Sequence, residues 1–380
     1  PINFLNSFPN TMARYPITVI TRRELLAWVA AIMATSGCKK DPVDAKSPGM
    51  KVIVIGAGAA GLAAARTLKD GGAAVTVLEA RDRIGGRIHT DRSLGGPVDL
   101  GAAWIHGRSG NPLTEVASEL NIALKETDYE DVSVFGDGEQ ATAGDVQAAQ
   151  AKTATLDEEV HKIAGRARVD SSAAAAYLLA MKGLSKDERE AVGWVLATRE
   201  LNLADNLGRV SVKHLDQGED LPGGDWLPVG GYDQLLRAAT HGLEIRLSTV
   251  ATKIVATDSG VTVHTRDGAL TADHVLVTLP LGVLKAGSVT FEPELPRRKR
   301  KAIARLGMGV LNKVALKFET KFWPDSQFFG LVGDPIGRFP VLMNMHAVNG
   351  SNVLVALVAG DEARVLEERT DQHIVSEVVL

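Results

Sequence analysis

KVIVIGAGAAGLAAARTLKDGGAAVTVLEARDRIGGRIHT, residues Lys51–Thr90, is the stretch whose reading decides the fold. It opens with an apolar β-type segment, Lys51–Ile55, and turns at Gly56, Gly58 and Gly61. An Ala/Leu-rich helical pattern follows, then a second strand, Val75–Leu78, closed by Glu79. Each part has a physical task in holding a dinucleotide. Gly56 permits the tight turn, Gly58 has no Cβ to keep a pyrophosphate at a distance, and Gly61 lets the helix pack close to the sheet. The helix N-terminus offers free N–H groups to the anion. Glu79 stands eighteen positions after Gly61, where an acid can accept hydrogen bonds from ribose hydroxyls.

Three more blocks extend the pattern. Arg81–Arg87 reads RDRIGGR, with His89-Thr90 after it. Gly85 and Gly86 let a loop pass close to a cofactor, and Arg81 and Arg87 supply forked donors for phosphate oxygens. The third block is Val98–Gly107, VDLGAAWIHG. The fourth combines Ala272–Leu284, ADHVLVTLPLGVL, with Gly309–Phe318, GVLNKVALKF, and Phe322-Trp323-Pro324. Here Val275–Leu279 reads as a buried strand ended by Pro280 and Gly282, and Val314–Phe318 as the start of a sheet after a basic helix. Lys313 in this block is either a strand-edge lysine facing solvent or a functional group. Lys317, two residues on, shares its face.

Together these blocks resemble the flavin amine oxidase superfamily, whose members include monoamine oxidases, polyamine and spermine oxidases and flavin-dependent histone demethylases. The resemblance covers about residues 50–380. It implies an α/β fold, with a Rossmann-like FAD-binding domain and an interleaved α+β substrate domain of mixed sheet plus helices. It implies FAD, held by Gly56, Gly58, Gly61, Glu79, Arg81, Gly86 and Arg87, with Gly101, Ala102 and Trp104 near the isoalloxazine and the Val250 backbone at the adenine. Lys313 matches the lysine that holds a water against flavin N5, and His106 would lie near the substrate amine. Glu200, in RELNLAD (199–205), is similar to the acid that such oxidases offer to a polyamine. The implied reaction oxidises an amine, with a polyamine as the leading substrate, to imine and aldehyde while dioxygen becomes hydrogen peroxide. The small-molecule partners are thus the amine and dioxygen. A related FAD-dependent amino-acid oxidase or desaturase, or an inactive fragment, remains open on these residues. Members of the family continue past the position of Leu380, so a last C-terminal FAD segment is expected to be missing here.

Composition sets further bounds. The chain has 380 residues, enough for two domains, and a formal net charge of −4, which favours no nucleic-acid partner. The basic run Arg297–Lys301 reads as a solvated helix face, and the nine histidines are scattered without metal-ligand spacing, so no metal is expected. Cys38 is the sole cysteine and excludes an intrachain disulfide. Residues 12–38 carry Arg22-Arg23 and a short apolar run, Leu25–Ala34, and look like a twin-arginine export signal of a bacterial protein. Such a signal suits a protein that acquires FAD before export. Thr35–Cys38, TSGC, resembles a lipoprotein cleavage box with Cys38 as the lipid anchor, and implies a periplasmic or membrane-anchored location. The organisation read from sequence is a tether at 39–49, FAD-binding segments at 50–108 and 221–290, a mainly helical substrate segment at 109–220, and a substrate-domain sheet with helices at 291–380.

Overall fold

The computed structural model describes residues 49–136, 139–215, 218, 220–332 and 338–379. The residues read as an export signal, Cys38, and those read as a tether as far as residue 48 lie outside the described residues. The described residues form two compact units, one from those up to Arg87 plus Leu236–Leu306, the other from those within Ile88–Leu235 plus those from Gly307 onward.

In the first unit four parallel strands run in the order Glu244–Arg246, Ala74–Leu78, Lys51–Ile55, His274–Val277. The helix Ala59–Asp70 connects the central pair and buries Leu62, Ala63, Ala64 and Ala65, small side chains that allow a close approach to the sheet. A second sheet is ordered Gly268–Ala272, Gly260–Thr265, Ala251–Thr257, Thr290–Glu292. Asp267-Gly268 turns the chain between two of these strands, with Thr265 paired to Gly268 across the turn. Ile53, Ile55, Leu78, Ile254, Val263 and Val275 form the core of this unit. The strand expected to end at Pro280 and Gly282 stops at Val277. Pro280 instead becomes the N-cap of a helix, Leu281–Ala286, that contains Gly282.

The second unit centres on a six-stranded sheet in the order Leu311–Lys317, Val353–Ala359, Val341–Asn344, Phe328–Val332, Val132–Gly136, Glu139–Gln140. Val353–Ala359 is buried along its whole length, as a strand covered on both faces must be. One face packs Val353, Val355 and Leu357, the other Leu354, Ala356 and Val358. The expected helices appear as Ala143–Arg166, Ala173–Ala180 and Lys186–Leu203. Capping boxes at Thr142 with Asp145 and at Ser185 with Glu188 start the two longer ones.

The unit boundaries differ from those expected at 108, 220 and 290. Residues 88–108 belong with the second unit because Ile105–His106 pairs with Asp225–Pro228 and the Asp99 carboxylate accepts the Tyr232 amide. Residues 291–306 belong with the first. There the Lys285 ammonium donates to the carbonyls of Ile303, Ala304 and Leu306 at the end of the basic helix Arg297–Arg305.

Candidate active site

The dinucleotide residues of the first unit come together at the C-terminal ends of its parallel strands. Gly56 has φ +109°, a conformation that costs a side chain strain. A Cβ on Gly61 would stand 1.8 Å from the Gly56 oxygen. Gly58 bridges Gly85, and the nearest atom to a Cβ built on Gly58 is the Gly85 oxygen at 3.8 Å. The helix that begins at Ala59 has neither a side-chain cap nor an acid in its first turn, so its amides are left for an anion. Glu79 is buried, with Oε2 accepting from Ala57 N at 2.8 Å and Oε1 from Arg81 N at 3.0 Å. A carboxylate has about four acceptor positions, so capacity for ribose hydroxyls remains. These features fit a pyrophosphate-linked dinucleotide such as FAD.

Sequence reasoning missed one guanidinium here. Arg83 and Arg81 both donate to the Gly86 oxygen, at 3.1 and 3.4 Å, and bind the loop from inside. Burial, and then the charge of Arg81, lowers the proton affinity of Arg83. The alternating arginines of RDRIGGR carried that signal. Arg87 is exposed. Ser248 N donates to the Arg81 oxygen at 2.7 Å and Thr249 N to the Glu79 oxygen at 2.8 Å, which brings the half-buried Val250 to the end of the Glu79 strand.

In the second unit Lys313 lies on the edge strand of the six-stranded sheet, but its side chain turns inward. Alternation places it with Ala315 on the face that packs against Val98, Ala103, Trp104 and Leu357. Its Nζ donates to Asp99 O at 2.9 Å and Gly101 O at 2.8 Å, and lies 5.2 Å from the centre of the Trp104 ring. Some of its surface stays accessible while protein atoms surround the ammonium, and this desolvation pulls the Lys313 pKa down to about 8 despite the nearby Asp99. Trp104 is held by Nε1 donating to Thr127 Oγ1 at 3.1 Å. Gly101 is half-buried and Ala102 exposed. Lys317, on the same face, is exposed at the strand end.

Asp99, which the motif reading passed over, is buried. Its carboxylate accepts from the Tyr232 amide at 3.0 and 3.1 Å and from the Thr90 hydroxyl. Burial raises its pKa against the opposing effects of Thr90, Tyr232 and Lys313.

His106 and Glu200 have hydrogen-bond partners other than those of Lys313. His106 is exposed, with Nδ1 at 2.9 Å from Asp225 Oδ2. Glu200, on the helix Lys186–Leu203, accepts from the Leu207 amide at 2.7 Å through Oε1 and from Asn206 Nδ2 at 3.1 Å through Oε2. Both oxygens of Glu200 thus accept from the start of the short 3₁₀ helix Leu207–Arg209. Among the described residues no cluster of histidine, cysteine and acids could hold a metal ion, and no helix is long and apolar enough to cross a membrane.

The family described as flavin containing amine oxidoreductase matches residues 59–380. The chain is 38% identical over 356 residues to polyamine oxidase 2 of Arabidopsis thaliana, covering 88% of this chain and 72% of that protein. It is 37% identical over 346 residues to polyamine oxidase 4 of Oryza sativa subsp. japonica, covering 86% and 71%. Lysine-specific histone demethylase 1 homolog 2 of Arabidopsis thaliana is 38% identical over 336 residues, 83% of this chain and 45% of that one. Among solved structures, a triple mutant of putrescine oxidase redesigned in cofactor binding superposes with a TM-score of 0.66 at 22% identity. It covers 86% of this chain and 78% of that one, a likeness of fold.

Proposed function

From the premise that the chain belongs to the flavin-containing amine oxidoreductase family, we propose that its substrate is a polyamine. The chain is an FAD-dependent amine oxidase. The chemistry FAD supplies when bound is acceptance of a hydride equivalent from the carbon beside the amine nitrogen and delivery of the electrons to dioxygen. The imine left behind is hydrolysed by water to an aldehyde and a shorter amine.

The residues that would hold FAD are Gly56, Gly58 and Gly61 with the bare helix N-terminus for the pyrophosphate, Glu79 for the ribose, and Arg81 and Arg87 for phosphate oxygens. Val250 would meet the adenine, and Gly86, Gly101, Ala102 and Trp104 would border the cofactor. Lys313 is the group that carries the reading. Its two donations to carbonyl oxygens leave one valence, a third N–H when charged or a lone pair when neutral. Either form can hold one water, and such a water would serve the bound flavin. Only the neutral amine can release the hydride equivalent, so turnover should rise with pH toward the effective pKa of the bound substrate.

Polyamine preference is supported by two relatives named polyamine oxidases that align with more than four-fifths of this chain. The test is peroxide release by the FAD-loaded protein with spermine, spermidine, putrescine, benzylamine and free amino acids. A higher kcat/KM for benzylamine or an amino acid than for every polyamine would overturn the assignment.

The proposal extends to location: export through the Arg22-Arg23 signal, with lipid attached at Cys38. Fractionation of a bacterial host that expresses the chain tests this. Protein confined to the cytoplasm, and unaffected by lysines at both arginine positions, would exclude it.

A further inference from the structure

We infer that Asp225 is the positioning residue of His106, and that it holds the imidazole with Nδ1–H inward and Nε2 outward as an acceptor for the substrate ammonium. This rests on the amine-oxidase reading above and assigns two residues, Asp225 and Tyr129, that the family motifs did not bring forward.

The geometry is local to the second unit. Asp225 Oδ2 accepts from His106 Nδ1 at 2.9 Å and from the Tyr129 hydroxyl at 2.7 Å, while Oδ1 accepts from Gly107 N at 3.1 Å. An ionised carboxylate can only accept, so Nδ1 carries the proton and Nε2 of the neutral ring presents a lone pair. Burial opposes ionisation of Asp225, yet the hydrogen bonds from Tyr129 and His106 hold its carboxyl below the usual carboxylate range.

The backbone around the ring is fixed as well. Asn111 Nδ2 donates to the His106 oxygen at 2.8 Å, and Gly107 takes φ +67° where a Cβ would strike the Leu221 oxygen at 2.2 Å. Tyr129 stacks on Phe328 with ring centres 5.7 Å apart, which orients its hydroxyl toward Asp225. Every polar group that Asp225 touches donates to it, so this carboxylate has one task, to orient its donors. Meanwhile the His106 side chain stays 72% exposed, and its Nε2 has no partner among the described residues. An imidazole anchored at one nitrogen and open at the other suits a proton acceptor. A cationic amine has to lose a proton before it is oxidised.

The experiment is ¹⁵N NMR of the histidines in the full chain loaded with FAD, beside steady-state kinetics with spermine. His106→Gln identifies the resonance. Wild type should show the Nδ1–H tautomer. Asp225→Asn should turn the ring to the Nε2–H form by offering an N–H to Nδ1. It should also lower kcat/KM about tenfold or more, within the range of a lost proton acceptor. Tyr129→Phe should keep the wild-type tautomer. An Nε2–H tautomer in wild type overturns the proposal, and needs no variant to fold. So does a tautomer switch in Asp225→Asn with kcat/KM unchanged. If wild type showed the Nδ1–H tautomer but oxidised no amine, the functional reading would fail while the positioning of His106 by Asp225 stood.

Discussion

Lys313 and Asp99 meet backbone to side chain: the lysine Nζ donates to the main-chain oxygen of Asp99, while the aspartate's own carboxylate turns to the Tyr232 amide and the Thr90 hydroxyl. The pair is therefore no ion pair in the usual sense. The carboxylate anchors the Val98–Gly101 segment, and the segment's carbonyls anchor the ammonium. A half-buried lysine held this way keeps one hydrogen-bonding position for a small molecule such as water.

Replacing Lys313 by methionine removes that position and keeps the aliphatic bulk over Trp104. We expect kcat for the preferred polyamine to fall by about a hundredfold, as for a lost proton-handling group, with flavin content unchanged. Stopped-flow reduction of the bound flavin measures this. An unaltered rate would show that Lys313 serves only the fold.

The same substitution tests the lowered proton affinity. Unfolded Lys313 holds its proton up to about pH 10.5, whereas the folded residue releases it near pH 8. Between those values the unfolded state binds more protons, so stability rises with pH through this window. Wild type should gain on Lys313→Met by up to about 3 kcal/mol between pH 7.5 and 10.5. Denaturant titrations of both proteins across that range decide it.

Glu200→Ala should behave as a lost cap rather than a lost substrate contact. Both carboxylate oxygens are engaged by Asn206 and Leu207, so a stability loss of about 1–2 kcal/mol is expected with the KM for spermine unchanged. Should Glu200→Gln instead raise that KM several-fold, the carboxylate would face the amine as the sequence suggested.

Gly61→Ala tests the dinucleotide turn. The added methyl would lie 1.8 Å from the Gly56 oxygen, so helix and turn have to separate, at a cost of about 1–3 kcal/mol or more. Flavin absorbance after reconstitution should drop along with Tm. Full flavin content would remove Gly61 from the cofactor site.

Much of this was legible in the chain itself. The strand–turn–helix–strand–acid run from Lys51 to Glu79 prescribes its own local geometry, because each glycine sits where a Cβ has no room and the apolar periods match strand and helix. The mainly helical character of residues 109–220 was readable for the same reason, since helices such as Ala143–Arg166 and Lys186–Leu203 are set by nearby residues.

The long-range decisions were not readable. Whether Lys313 faced solvent or core depended on which side of its strand met Val98 and Trp104, more than two hundred residues earlier in the chain. The partners of Glu200 depended on how the chain turns after Leu203, and the bond from His106 to Asp225 on a strand pairing across 119 positions. The sequence by itself determined the dinucleotide turn, through spacing and side-chain type, and pointed to the family of chemistry through its resemblance to the flavin amine oxidases. Only the tertiary structure decided which polar groups were left with a free valence, because hydrogen-bond satisfaction depends on neighbours that folding brings from far along the chain.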